Sequence, residues 1–118
     1  MYDSILLTIK KMIGLDANYT AFDPDIIVGI NSALSILHQI GLGENALIVT
    51  DANVTWSDLL GTITNLEDVK QYVYLRTRRI FDPPASSSVM TAIDNEIREL
   101  ESRINYVVDI PEEDEEDE

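Results

Sequence analysis

His38 is the sole imidazole in this chain of 118 residues, and there is no cysteine. A general base needs a substrate cleft and usually a carboxylate that orients the ring, and nothing near His38 in the sequence supplies either. Thiolate nucleophiles, disulfide frameworks, thiolate metal sites and paired-His metal sites need sulfur or several imidazoles, so the composition excludes them. His38 is expected to be a partly buried residue of a long helix. Two carboxylate pairs, Asp23 with Asp25 and Asp94 with Glu96, have the chemistry to hold a hard cation. Helix capping accounts for the first pair and surface charge for the second. No spacing matches a calcium loop, a glycine-rich phosphate loop or a nucleophile elbow. No catalytic residue, cofactor or metal ligand is expected.

What the chain does offer is charge, with 22 acidic residues against 8 basic ones and a formal net charge of -14. The unbroken acidic run Glu112 to Glu118, which begins Glu112, Glu113, Asp114, contributes half of that charge. A surface that grips nucleic acid is not expected from such a balance. The one basic cluster is Arg76-Thr77-Arg78-Arg79. Its guanidinium groups suit bidentate capture of a partner's carboxylates or a phosphate. The competing reading is that they complement a helix end and pair with the chain's own acids. Trp56, the only Trp, is a candidate interface anchor, with core packing as the alternative. The acidic run is either a solubilising appendage or a strand that docks on a basic partner or repels DNA.

The elements that position these residues read as helices. Residues 3 to 13 put Ile5, Leu6, Ile9, Met12 and Ile13 on one stripe, with Asp3 or Ser4 as cap and Gly14 as a left-handed stop. Asp23 as cap and Pro24 in the first turn open a second helix to about Ile40, closed by Gly41. That helix is expected to be central to the core. Gly29 in its interior costs about 1 kcal/mol relative to Ala, which implies a neighbour's backbone in close approach. From Ala46 to Trp56 a run of β-formers predicts a small hairpin or an extended excursion. Ser57 opens a single turn ended by Gly61. Asn65 caps a fourth helix that carries Leu66, Val69, Tyr72, Val73 and Ile80 on one face, with Arg76, Arg78 and Arg79 near its negative end.

Pro83 and Pro84 stop that helix. Ser86, Ser87 or Ser88 then caps a long last helix with Val89, Ile93, Ile97, Leu100, Ile104 and Val107 along a narrow seam. Asp94 with Arg98 and Glu99 with Arg103 form acid-to-base pairs four residues apart. Pro111 ends the order. The expected architecture is an all-α bundle of four to five helices with a short hairpin excursion, comprising one domain over residues 1–110 and an acidic tail over 111–118. No apolar run reaches the roughly 18 residues that a membrane span requires, and Met1-Tyr2-Asp3 lacks the basic start of a secretory signal. A cytosolic protein, or one assembled in the cytosol, is expected.

The segment Tyr72-Val-Tyr-Leu-Arg-Thr-Arg-Arg-Ile-Phe-Asp-Pro-Pro-Ala-Ser-Ser-Ser-Val-Met-Thr-Ala-Ile93 resembles one found in the small head-tail connector (adaptor) proteins of tailed bacteriophages. The start, Tyr2-Asp-Ser-Ile-Leu-Leu-Thr-Ile-Lys-Lys-Met-Ile-Gly14, and the middle, Ile30-Asn31 through Gly41 to Val54-Thr55-Trp56, are similar too, so the likeness covers about residues 1–107. The corner Phe81-Asp82-Pro83-Pro84-x-Ser86-Ser87 is its most specific piece. The resemblance implies a non-catalytic all-α subunit, assembled in the host cytoplasm into a ring that is expected to be dodecameric and that sits in the virion neck. Its partners would be its own copies, the portal protein, and a stopper or tail-completion protein, with DNA only as passing cargo in the lumen. The acidic run is not a family hallmark. A rival reading is a small acidic regulator that mimics DNA and occupies a nucleic-acid-binding site: the charge suits it, but half of the surplus lies in the terminal run, whereas a mimic needs its carboxylates spaced on a rigid face.

Overall fold

In a computed structural model, residues 4–41, 47–60, 66–81 and 83–109 are described, and they form five helices: α1 (Ile5–Ile13), α2 (Asp23–Ile40), α3 (Trp56–Leu60), α4 (Leu66–Phe81) and α5 (Ser87–Asp109). The expected all-α class is observed. Asp3, Gly61, Asn65 and the acidic run lie outside the described residues, as do the side chains of Leu66 and Val107. Ser4 caps α1, its hydroxyl accepting from the Leu7 amide at 3.2 Å. Gly14, at φ 104°, ends that helix with its amide directed to the Lys10 and Lys11 carbonyls.

The start of α2 departs from expectation. Asp23 is the first helical residue rather than the cap, and the capping position, Phe22, makes no side-chain hydrogen bond. The carboxylate is instead drawn to Lys10, whose Nζ lies 2.8 Å from Asp23 Oδ1 and whose side chain is 1% exposed. That ammonium also donates to the carbonyls of Ala17 at 3.0 Å and Tyr19 at 2.8 Å. A buried cation requires a counter-charge and full hydrogen bonding, a stronger demand on a carboxylate than capping a helix end exposed to water. The α1–α2 connection is thereby tied down. It brings Tyr19 against Phe22, and Phe22 against Phe81 at the end of α4, with ring centroids 5.7 and 5.3 Å apart.

The expected hairpin is not formed among the described residues, and the alternative reading of an excursion fits residues 47–55, which run without regular structure to a turn at 51–53. Their β-forming side chains meet no second strand. The Asn31 side-chain amide of α2 stands in for one, donating to the Val49 carbonyl at 3.0 Å and accepting from the Val49 amide at 2.8 Å. At the far end, the Ile5 amide donates to the Val54 carbonyl at 3.1 Å, beside a single antiparallel bridge between Ser4 and Thr55. Thr55, rather than Ser57, opens α3. Its hydroxyl accepts from the Asp58 amide, and the Asp58 carboxylate accepts from the Thr55 amide, a reciprocal cap.

The core gathers around α2, whose Ile26, Ile30, Ala33, Leu34 and Leu37 are buried, and α4 packs across it. Gly29 lies at that crossing. A Cβ there would sit 3.0 Å from Thr77 Cγ2 and 3.1 Å from Thr77 Cα, so the expected close backbone approach is present. In α5, Ile93, Ile97, Leu100 and Ile104 are buried, and the seam is used within the chain against α4 and α2. Ser86 supplies the α5 cap, accepting from the Val89 amide at 3.4 Å. Three residues assigned to apolar stripes, Met12, Ile80 and Val89, are instead exposed. Each falls within two residues of an end of its helix.

Replacing Gly29 by Ala gains about 1 kcal/mol of helix propensity, but the new methyl group must displace Thr77 backbone, an overpacking cost of about 1 to 3 kcal/mol. Chemical denaturation should show Gly29→Ala no more stable than the parent and Gly29→Val clearly less stable. A stabilised Gly29→Ala protein would contradict the close crossing.

Candidate functional site: an arginine groove between α4 and α5

Helix α4 divides its side chains between two neighbours. Val69, Val73 and Thr77, four residues apart, are all fully buried, and Thr77 faces α2. Tyr72, Arg76 and Arg79 are spaced four and three residues apart and so share a different face, which meets α5. Tyr72 donates its hydroxyl to Glu101 Oε2 at 2.7 Å, and Arg76 Nη1 approaches the same oxygen at 3.6 Å. The Arg76 guanidinium carbon is 5.8 Å from the Tyr72 ring centroid, within cation–π range. One turn further on, Arg79 presents two N–H groups to the two oxygens of Asp94, the Nη2 contact measuring 3.3 Å. Arg98 donates to Asn95 Oδ1 at 3.0 Å. Arg76, Arg79, Asp94, Ile97, Arg98 and Glu101 line an open groove of about 280 Å³.

Burial pushes the Tyr72 hydroxyl well above the usual phenol range, and the hydrogen bond to the Glu101 carboxylate adds to this. It therefore remains a donor at every physiological pH. The hydrogen bond from Arg79 holds the Asp94 carboxyl below its ordinary value. Arg76 Nε is shielded from solvent and makes no hydrogen bond. The groove therefore concentrates guanidinium N–H groups that its own two carboxylates do not consume: each guanidinium carries five donors.

The structure brings two members of the basic cluster, Arg76 and Arg79, into this groove, where both engage acids of their own chain. Arg78 is partly buried outside the groove and has no ion-pair partner among the described residues. Trp56 is 1% exposed, and its indole N–H donates to Thr8 Oγ1 at 3.1 Å, so the fold itself uses this side chain. Glu112, Glu113 and Asp114 lie outside the described residues. His38 is exposed rather than partly buried. The expected Asp94–Arg98 pair is replaced by Asp94–Arg79, because Arg79 on the neighbouring helix reaches both carboxylate oxygens while Arg98 turns to Asn95. Glu99 and Arg103 do pair, at 3.6 Å, and Arg103 also reaches Asp68 and Glu96. Sequence reasoning missed the Tyr72–Glu101 contact and the inclusion of Arg98. Both depend on how α5 is rotated against α4, which no local signal reports.

The model of a family described as phage connector protein matches residues 5–110. The chain belongs to the phage connector protein family. No curated protein and no solved structure matches it significantly. Membership gives this protein a structural connector role in phage particles in general terms, in agreement with the resemblance seen in the Tyr72–Ile93 segment. The match spans all five helices and thus includes both walls of the groove. Among the described residues, no helix is long and apolar enough to cross a membrane, and no three His, Asp or Glu side chains converge as a metal site would require.

Because the native Asp94 carboxyl titrates below its unfolded value, the folded state binds fewer protons in that interval. The stability it contributes is present above the ordinary aspartate range and is lost as pH falls through the lowered native value. Carboxyl NMR titration should give Asp94 a midpoint below that of an unpaired aspartate, and Arg79→Gln should raise it. A midpoint unmoved by Arg79→Gln would contradict the pairing.

Proposed function

We propose that this connector assembles with copies of itself into a ring beneath the portal, joining the portal to a stopper or tail-completion protein in the neck of the particle. The observation that carries this reading is the family match across residues 5–110. Connection at such a neck is a mechanical and electrostatic task, and the chain acts there without catalysis.

The composition suits that task. DNA leaving a filled head must slide past the ring, and a lumen wall rich in carboxylates repels phosphates, whereas a basic wall would hold them with a salt-dependent grip. A charge of -14 also keeps free subunits apart before assembly. On ring formation, apolar burial and ion pairs between copies must offset that repulsion. Arg78 supports this reading: it is a partly buried cation without an ion-pair partner among the described residues, at the α4 end that leads into the Pro83-Pro84 corner. Opposed charges at such contacts set register and orientation more than raw affinity.

Native mass spectrometry of this chain mixed with the portal protein encoded in the same genome tests the assignment. A discrete complex with equal numbers of the two chains is expected, weakened by Arg78→Glu. No complex with an intact portal ring would contradict the connector assembly.

A further inference from the structure

Four helix termini meet at one end of the bundle. The Phe22 ring against Phe81 sets the start of α2 beside the end of α4. Arg79 with Asp94 brings the start of α5 there, and Lys10 with Asp23 adds the last turn of α1. Seven large hydrophobic side chains are exposed among the described residues. Five of them, Met12, Tyr19, Phe22, Ile80 and Val89, belong to these termini and the α1–α2 connection. Single exposed apolar side chains need no explanation, whereas a gathered set marks an interaction surface. The charge of this end also differs from the rest. Residues 10–25 and 78–94 hold four cations and five acids, which leaves thirteen of the fourteen net negative charges to the remainder of the chain. Two of those cations and two of those acids are already paired with one another, as Lys10 with Asp23 and Arg79 with Asp94.

We propose that this aromatic end docks on a second copy of the chain and forms one half of a contact between unlike faces of the two copies. The inference rests on the ring reading above and names the surface that the ring would use. Charge selects the occupant. A second copy is as acidic as the first, so two copies approach at least electrostatic cost where charge is balanced, and this end combines that balance with exposed aromatic rings. A ring needs two different patches on each copy, because a self-complementary patch closes a dimer and goes no further. The two remaining exposed large hydrophobics, Val28 and Ile48, supply the second patch. Val28 precedes Asn31 by three residues on α2, and Asn31 holds both backbone groups of Val49, the neighbour of Ile48. Apolar contact provides the attraction, and the acidic remainder of each chain opposes it until that charge is screened or neutralised.

Sedimentation equilibrium of the full chain alone tests this. At about 1 mM protein, the chain should sediment as a monomer in about 0.05 M salt and as larger species in about 0.5 M salt, where the Debye length has shrunk to a few Å. Association that weakens with salt would point to ion pairs and overturn the proposal. In high salt, Phe22→Asp and Ile48→Asp should each remain monomeric. An equal mixture of the two should form dimers and nothing larger, since each variant keeps the patch that the other lacks. Both side chains are exposed, at 40% and 65%, and unchanged amide positions elsewhere will show that the folds are retained. Tyr19→Asp repeats the test of the aromatic end without touching the Phe22–Phe81 contact. A mixture that stays monomeric would overturn the proposal by making the contact self-complementary. Association that neither substitution reduces, or a parent chain that stays monomeric in high salt, would overturn it too. Each of these failures leaves complex formation with the portal protein untouched.

Discussion

The absence of a side chain at Gly29 allows α2 and α4 to approach until a Cβ would sit 3.0 Å from a methyl group of Thr77. This contact sets the rotation of α4 about its own axis. With Thr77 turned to α2, the helical period directs Tyr72, Arg76 and Arg79 towards α5, where Glu101 and Asp94 meet them. A larger residue at position 29 would push α4 outward or rotate it, and the groove would lose its shape before it lost any residue. The core and the candidate site are thus two faces of one helix.

Charge is handled in opposite ways inside and outside the molecule. The single buried lysine, Lys10, is satisfied by two carbonyls and Asp23, and in return it ties the α1–α2 connection to the bundle. Burial of that kind is tolerated because the ammonium donates to two carbonyls and has the Asp23 carboxylate beside it as counter-charge. At the surface, the pairs of Arg79 with Asp94 and of Arg103 with its three acids are solvated and contribute little stability individually.

What could be read in advance was local. Ser4, Gly14, Gly41 and Ser86 act through atoms within a few residues, and a glycine inside an otherwise regular helix announces a close neighbour by its cost alone. The misassignments came from partners distant in the chain. The β-formers at Leu47 to Val54 would make a hairpin if a second strand were available; the fold supplies the Asn31 side chain instead, and an asparagine within a helix gives no hint of that use. Asp23 has the right chemistry for a cap until Lys10 competes for it. Asp94 and Arg98 have ideal helical spacing until Arg79 arrives from another helix. Ile80 and Val89 continue their stripes into helix ends where both side chains are exposed. The groove itself was half legible, through the Arg76-Thr77-Arg78-Arg79 run, while Arg98 and Glu101 joined it only once the α4–α5 packing was known.

The phage connector family match spans the five-helix body, and the ring proposed above at the head-tail junction is the most specific part of that reading. Electron cryomicroscopy of particles produced by the genome that encodes this chain tests that consequence most directly. The account predicts a ring of density between portal and tail into which the five-helix subunit fits in repeated copies, with the chain detected in purified particles. Complete particles that lack the chain, with that position filled by another protein, would contradict it.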